Sequence, residues 1–179
     1  HNNQLVERCK KGDKVAQFAI YKQYYKAMYN TALRIVNDSF EAEDIMQESF
    51  LAAFTKLHTF SETVTFGAWL KRIVINNSIT ALKKKNKLET VPIDKVLKKE
   101  VEEESPNYSG LNVKEILAKM NELKNNYKVT LTLHLIEGYD YEEIAQILEI
   151  SYENSRTTIS RAKKKLRQLL SYENERQFR

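Results

Sequence analysis

Hydrogen-bonding and cationic side chains collect along one helix face near the C-terminus. At about 100° per residue, Glu153, Arg156, Thr157, Ser160, Lys164 and Arg167 share a face of the stretch from Tyr152 to Leu170. Ile159, Ala162, Leu166 and Leu169 share the opposite face. Such a helix docks through its apolar side and offers donors, acceptors and cations from the other. That suits a DNA major groove, where base-edge contacts specify and cations on phosphate hold. The plain alternative is a surface helix with a solvated charged face. Against it stands the preceding segment, Tyr141 to Leu148, followed by Glu149-Ile-Ser151. Together they read as helix, tight turn and second helix, a helix-turn-helix.

A second polar strip lies far upstream. Over Phe66 to Asn86, Phe66, Trp69, Leu70, Ile73 and Asn77 point one way, and Ile75, Ile79 and Leu82 nearly opposite. This predicts a helix buried on two sides. Between the two sides run Arg72, Asn76, Thr80, Lys83 and Lys87, with Lys84 and Lys85 at the basic end. Amides bond bases and cations neutralise phosphate. Lysines that suit a helix C-terminus would explain the basic end alone, but not the Asn76–Thr80 strip. A third surface belongs to Ala42–Leu57. Ala42, Ile45, Met46, Ser49, Phe50, Ala53 and Leu57 form its core stripe, while Glu43, Asp44, Gln47 and Glu48, then Leu51 and Phe54, lie off it. Acidic groups followed by outward apolar ones suggest a docking face for another protein. Packing of Leu51 and Phe54 on a neighbouring helix is the other reading.

Composition narrows the setting. Four Gly and two Pro in 179 residues are few for a β-rich or α/β chain, so the fold class is all-α. Gly12, Gly67, Gly110 and Gly138 form no phosphate-cradling motif. His1, His58 and His134 have no ligand spacing, and Cys9 is the sole cysteine. No metal site, cofactor or catalytic constellation is expected, and the chain reads as a non-enzyme. The lone Cys9 fits a reducing cytoplasm. No apolar run reaches the roughly 20 residues that span a bilayer, no stretch resembles a signal peptide, and His1 in place of Met points to a tag remnant or a trimmed start.

Charge and breakers divide the chain. Residues 1–87 carry 14 Lys/Arg against 8 Asp/Glu, residues 88–112 carry 3 against 6, and residues 113–179 carry 12 against 10. The middle stretch holds Pro92, Pro106 and Glu102-Glu-Glu104, the composition of an exposed linker; Val91 and Ile93 to Leu97 leave room for it to dock. We expect two small helical domains, 1–87 and 113–172, joined by the acidic linker 88–112, with a polar, fraying tail over 173–179. In the first, a helix starts near Asp13, where Phe18, Tyr21, Tyr25, Met28, Tyr29 and Ala32 recur near helical spacing, continuing to Ile35 and Val36; Asn37-Asp-Ser39 turns and caps, and Thr59 to Thr65 is a polar loop. In the second, Val113, Ile116, Leu117, Met120 and Leu123 form one stripe, Leu131, Leu135 and Ile136 are buried in the next helix, and Gly138 stops it.

The order of these parts resembles the extracytoplasmic-function sigma factors, the small two-domain sigma factors of bacterial RNA polymerase. One block is Glu41-Ala-Glu-Asp-Ile-Met-Gln-Glu-Ser-Phe50 with Phe66-Gly-Ala-Trp-Leu70 and Ile73-Val-Ile-Asn76, similar to the family's second conserved region. The other, Leu133 to Ala145 through Ser160-Arg-Ala-Lys163, is similar to its fourth. The resemblance implies that Glu43, Asp44, Gln47, Leu51 and Phe54 contact core polymerase. It implies that Arg72, Asn76, Thr80, Lys83 and Lys84 face the melted minus-ten element, with a flipped base entering a pocket bordered by the Thr59–Thr65 loop. Arg156, Thr157, Ser160 and Lys164 would enter the major groove of the minus-thirty-five element, with Arg161 and Lys165 toward phosphates. Promoter DNA, core polymerase and an anti-sigma protein are the partners implied. Thr80 departs from an acid common in the family, Glu153-Asn-Ser155 from a common Gly-Thr-Val, Thr158 from a frequent basic residue and Lys124 from a common Pro. These departures bear on promoter sequence and leave the fold intact. A stand-alone helix-turn-helix regulator would explain the C-terminal half alone.

Overall fold

The computed structural model describes residues 2–85, 88 and 112–177, with side chains over 4–85, 88 and 112–171. Most of the expected linker, Lys87, and Val91 and Ile93 to Leu97 lie outside the described residues. Every regular element described is helical. The chain divides into two units, His1–Asn86 and Lys87–Arg179.

The first unit contains α1 (Asn2–Lys10), α2 (Lys14–Val36), α3 (Ser39–Thr55), a 3-10 turn (Leu57–Thr59) and α4 (Phe66–Lys84). Local chemistry sets the boundaries. Asp13 caps α2, its Oδ1 accepting from Val15 N at 2.9 Å. Asn37 ends α2 in the left-handed conformation, and Asp38 caps α3 by accepting from Glu41 N at 3.0 Å. Helices α2, α3 and α4 pack together, and α1 lies against α2 and the 3-10 turn through buried Val6 and Cys9. The whole α3 core stripe read from sequence is buried. Helix α4 packs on both α2 and α3, so it buries Leu70, Val74, Ile75, Ser78, Ile79 and Leu82. Gly67 sits where a Cβ would come within 2.9 Å of Tyr24 Cε1, so a larger residue there would have to displace the Tyr24 ring between α2 and α4.

The structure departs from the sequence pattern at two points in this unit. Helix α1 has no counterpart in the sequence reading. Phe18 is 62 % exposed, and Ala16 and Ile20 fill the core positions at the start of α2 instead.

The second unit contains α5 (Val113–Asn121), α6 (Asn125–Leu131), a π-helical segment (Thr132–Ile136), α7 (Tyr141–Leu148) and α8 (Tyr152–Gln177). Helix α8 is the spine against which α5, α6 and α7 pack. Met120, Leu123, Leu131, Ala162, Leu166 and Leu170 form a buried cluster, with Ile116, Tyr127, Ile136 and Leu169 against it. The π segment closes with Glu137 N donating to Thr132 O at 3.0 Å. Its wider turn shifts the register, so Leu133 is buried and Leu135 is exposed, the reverse of the expectation for Leu135. Gly138 then takes a φ of +78°. Val113 and Leu117 of the expected α5 stripe face solvent. Helix α8 continues to Gln177, through most of the segment read as a fraying tail. No helix among the described residues is long and apolar enough to cross a membrane.

Candidate functional site

Three surfaces gather the residues singled out by chemistry. The first is the outside of α3. Burying Ala42, Ile45, Met46, Ser49, Phe50 and Ala53 turns Glu43, Asp44, Gln47 and Leu51 outward. Gln47 Nε2 donates to Glu43 Oε1 at 3.4 Å. Leu51 is 69 % exposed, so it packs on no neighbouring helix. Phe54 is half-buried, its ring 6.1 Å from Phe50. The sequence reading missed what adjoins this face. A cleft of about 400 Å³ opens between α2 and α3, lined by Tyr21, Tyr25, Lys26, Tyr29, Asn30, Glu43 and Met46. Tyr21 stacks on Tyr25 at 5.4 Å and tilts onto Phe50 at 4.9 Å. The spacing of these tyrosines read as core, and nothing in the sequence marks them as cleft-lining.

The second surface is the strip along α4. Thr65 caps this helix, its Oγ1 accepting from Ala68 N at 3.2 Å. Asn76, Thr80, Lys83 and Lys84 are exposed and Arg72 is half-buried, so the expected strip is brought together. Thr80 Oγ1 donates to its own helix at Asn76 O, 2.9 Å away. Its hydrogen is therefore committed, and its oxygen is left to accept. Lys85 belongs elsewhere: its Nζ lies 2.8 Å from Glu41 Oε1, and that hydrogen bond holds the ammonium above the ordinary lysine range. Glu41 Oε2 is buried and has no hydrogen-bond partner. Asn77 faces inward from α4, its Nδ2 donating to Ser49 Oγ on α3 at 2.9 Å.

Ahead of α4 runs the loop from Phe60 to Thr65. Phe60 is buried edge-on against Phe66 at 5.8 Å and tilted onto Trp69 at 5.3 Å. Ser61, Glu62, Thr63 and Val64 face solvent. Hydroxyls and one apolar group thus stand exposed beside an aromatic cluster, groups suited to holding an unstacked base.

The third surface is α8 within the helix-turn-helix. Asp140 and Glu143 close a capping box on α7: Asp140 Oδ1 accepts from Glu143 N at 2.8 Å, and Glu143 Oε2 from Asp140 N at 2.9 Å. Glu149 turns the chain with a φ of +58°, and Ser151 Oγ accepts from Asn154 N at 3.1 Å at the head of α8. Helix α8 buries Ser155, Thr158, Ile159, Ala162, Leu166 and Leu170. Arg156, Arg161, Lys164 and Lys165 are exposed, and Thr157 and Ser160 half-buried. Ser155 Oγ is buried without a partner. Thr158, at the family's frequent basic position, points into the fold.

His134 has a structural environment. Its Nδ1 lies 3.0 Å from Tyr139 O, which can only accept, and its ring stacks on Tyr141 at 5.2 Å. Among the described residues no group of three or more His, Cys, Asp or Glu is placed to hold a metal ion.

Residues 20–88 match the Sigma-70 region 2 family, and residues 114–166 match Sigma-70, region 4. The chain is 30 % identical over 154 residues to the ECF RNA polymerase sigma factor SigM of Bacillus subtilis (strain 168), covering 84 % of this chain and 92 % of that one. It is 31 % identical over 177 residues to the RNA polymerase sigma-H factor of Pseudomonas aeruginosa, covering 90 % of each. Among solved structures it is similar to the sigma factor RpoE of Bartonella quintana, solved with the anti-sigma factor NepR. That likeness has a TM-score of 0.57 and 23 % identity, and covers 86 % of this chain and 95 % of that one.

Proposed function

The chain belongs to the extracytoplasmic-function sigma factors of bacterial RNA polymerase, and from that membership we propose how its surfaces divide the work of promoter-directed initiation. The observation that carries the reading is the pair of sigma-70 region matches, in order, on two separate helical units. Each unit then has one promoter element to read. A stand-alone helix-turn-helix regulator would leave the first unit without a role, and is not favoured.

In this reading Glu43, Asp44, Gln47, Leu51 and Phe54 dock on core polymerase. The carboxylates steer and orient, while burial of a leucine side chain supplies about 1.5–3 kcal/mol. Arg72, Asn76, Thr80, Lys83 and Lys84 line the path of the opened minus-ten strand. Asn76, whose amide makes no hydrogen bond to another described residue, offers a donor and an acceptor to a base edge. Thr80 adds only an acceptor, and the lysines hold phosphate. Arg156, Thr157, Ser160 and Lys164 read the minus-thirty-five duplex, with Arg161 and Lys165 on its phosphates.

Bond making stays with the polymerase; this chain supplies binding energy and strand separation, and works in the cytoplasm where the polymerase acts. An anti-sigma protein would hold the free chain, a reading supported by the partner in the similar RpoE structure. The test is footprinting of a holoenzyme built from the full chain and core polymerase. Permanganate reactivity of thymines near the start site should depend on Arg72 and Asn76. Nuclease protection of the upstream element should depend on Arg156 and Arg161. Unpaired thymines that appear equally without Arg72 and Asn76 would overturn the assignment of α4.

A further inference from the structure

Among the described residues, three that are not glycine take a left-handed backbone: Asn37, Glu62 and Glu149. Asn37 and Glu149 each end a helix, α2 and α7, where such a residue is the usual C-cap. Glu62 ends no helix. It lies mid-loop between Phe60 and Thr65 with a φ of +60°, a conformation disfavoured for a residue with a Cβ. Strain of this kind persists only where the surroundings over-determine it, and it gathers at working loops.

The surroundings are visible. Both ends of the loop are pinned, by the Phe60–Phe66–Trp69 cluster and by the Thr65 cap on α4. Across its middle, the hydroxyls of Ser61 and Thr63 lie 3.1 Å apart. The remaining tie comes from outside. Lys10, the last residue of α1, places Nζ 3.7 Å from Glu62 Oε1 and 2.7 Å from Glu7 Oε1. These carboxylates hold the Lys10 ammonium above its ordinary range, the hydrogen bond to Glu7 first. The Lys10 side chain keeps only 28 % of its exposure. Helix α1 is itself anchored by Val6 and Cys9 and rests on the Leu57–Thr59 turn just before the loop. It carries none of the surfaces assigned above.

We propose that Lys10 and Glu62 are a positioning pair through which α1 holds the Phe60–Thr65 loop in its strained shape and thereby sets base preference at the minus-ten element. The inference rests on the reading of that loop as the border of the flipped-base pocket. Neither side chain touches the base. Their ion pair fixes the turn that presents Ser61, Thr63 and the half-exposed Val64. The part played by α1 is to lower the number of loop shapes available before DNA arrives.

The test is run-off transcription by the full chain with core polymerase. Four templates would differ only in the base at the flipped position, and the readout is the ratio of best to second-best initial rate. Lys10→Met and Glu62→Gly should each lower that ratio about two- to fivefold, the range of a partly exposed ion pair. The double variant should lower it no further than the worse single variant, and Lys10→Arg should keep the native ratio. The thermal midpoint followed through Trp69 should not fall in Glu62→Gly, because glycine takes this φ without strain. Upstream-element protection should be unchanged throughout. Unchanged ratios in both single variants would overturn the proposal, as would losses in the double variant that multiply. A ratio that falls only together with the midpoint would also overturn it, reducing the pair to ordinary stability. If the native chain itself shows no base preference at any minus-ten position, the loop reading fails first and the pair falls with it.

Discussion

Asn77 and Ser49 join the two working helices of the first unit, and removing one partner tests how tightly. Asn77 Nδ2 donates to Ser49 Oγ at 2.9 Å, and Ser49 Oγ donates to Ile45 O at 2.6 Å. Ser49 has no exposure, so water cannot replace a lost donor. Asn77→Leu keeps the volume and removes the amide. One neutral hydrogen bond is lost beside a buried oxygen that keeps its bond to Ile45, a cost of about 1–2 kcal/mol. In a domain of this size each kcal/mol moves the midpoint by about 4–8 °C, so a fall of roughly 4–16 °C is expected. Ser49→Ala should cost less, since half-buried Asn77 can turn to water. The double variant should regain part of the loss, because it leaves no buried oxygen in search of a donor. Trp69 is the only tryptophan and lies in the first unit, so its fluorescence follows this unit's unfolding in the full chain. A midpoint within about 1 °C of native for Asn77→Leu would refute the reasoning, as would a double variant that loses the sum of the two singles.

Three further predictions concern separate parts of the molecule. Asp44→Arg reverses a charge on the exposed α3 face and should weaken core-polymerase binding at least tenfold in a titration, while the upstream footprint of whatever complex forms stays in place; unchanged affinity would remove α3 from the contact. Arg156→Ala should weaken recognition of the minus-thirty-five duplex by about 1–3 kcal/mol, read as a roughly 5- to 150-fold loss in affinity with relaxed sequence preference, whereas Lys165→Ala should weaken binding evenly across sequences and flatten the salt dependence by about one counterion. Lys128 is buried on α6, and burial holds its ammonium below the ordinary value of 10.5. Its folded pKa therefore lies below its unfolded one, so the cost is fully present at neutral pH and fades as pH rises through the folded value toward 10.5. Lys128→Met should raise the denaturation midpoint of the second unit at pH 7, with the advantage over native shrinking by about pH 10; an advantage independent of pH would mean that packing, not charge, is the cause.

What the sequence made legible follows from where apolar periodicity is strong and local signals are sharp. The α3 stripe repeats at helical spacing without interruption, and every member from Ala42 to Leu57 is buried. The turn at Glu149-Ile-Ser151 was legible because a short amphipathic helix stops there and Ser151 begins the next. Helix α1 was not, since Leu5, Val6 and Cys9 are too few to make a stripe. Phe18 was misplaced because its spacing matches the α2 stripe, yet α1 and α3 leave that part of the helix uncovered. Leu135 was misplaced because a 3.6-residue period was carried through a π-helical segment whose turn is wider. The cleft beside Glu43 and the Lys85–Glu41 pair depend on contacts between helices, which no single helix pattern encodes. Of the candidate site, the polar strips on α4 and α8 were legible as strips. Which hydroxyl is already committed, as at Thr80, was not.

The most direct test of the central claim is reconstituted transcription. The full chain is added to bacterial core polymerase free of other sigma factors, with genomic DNA fragments, and the 5′ ends of the RNA are sequenced. Defined starts preceded by two shared elements are expected, one lost with changes to the α4 strip and the other with changes to α8. The absence of specific starts, with polymerase from the native host and no inhibitor present, would contradict that claim.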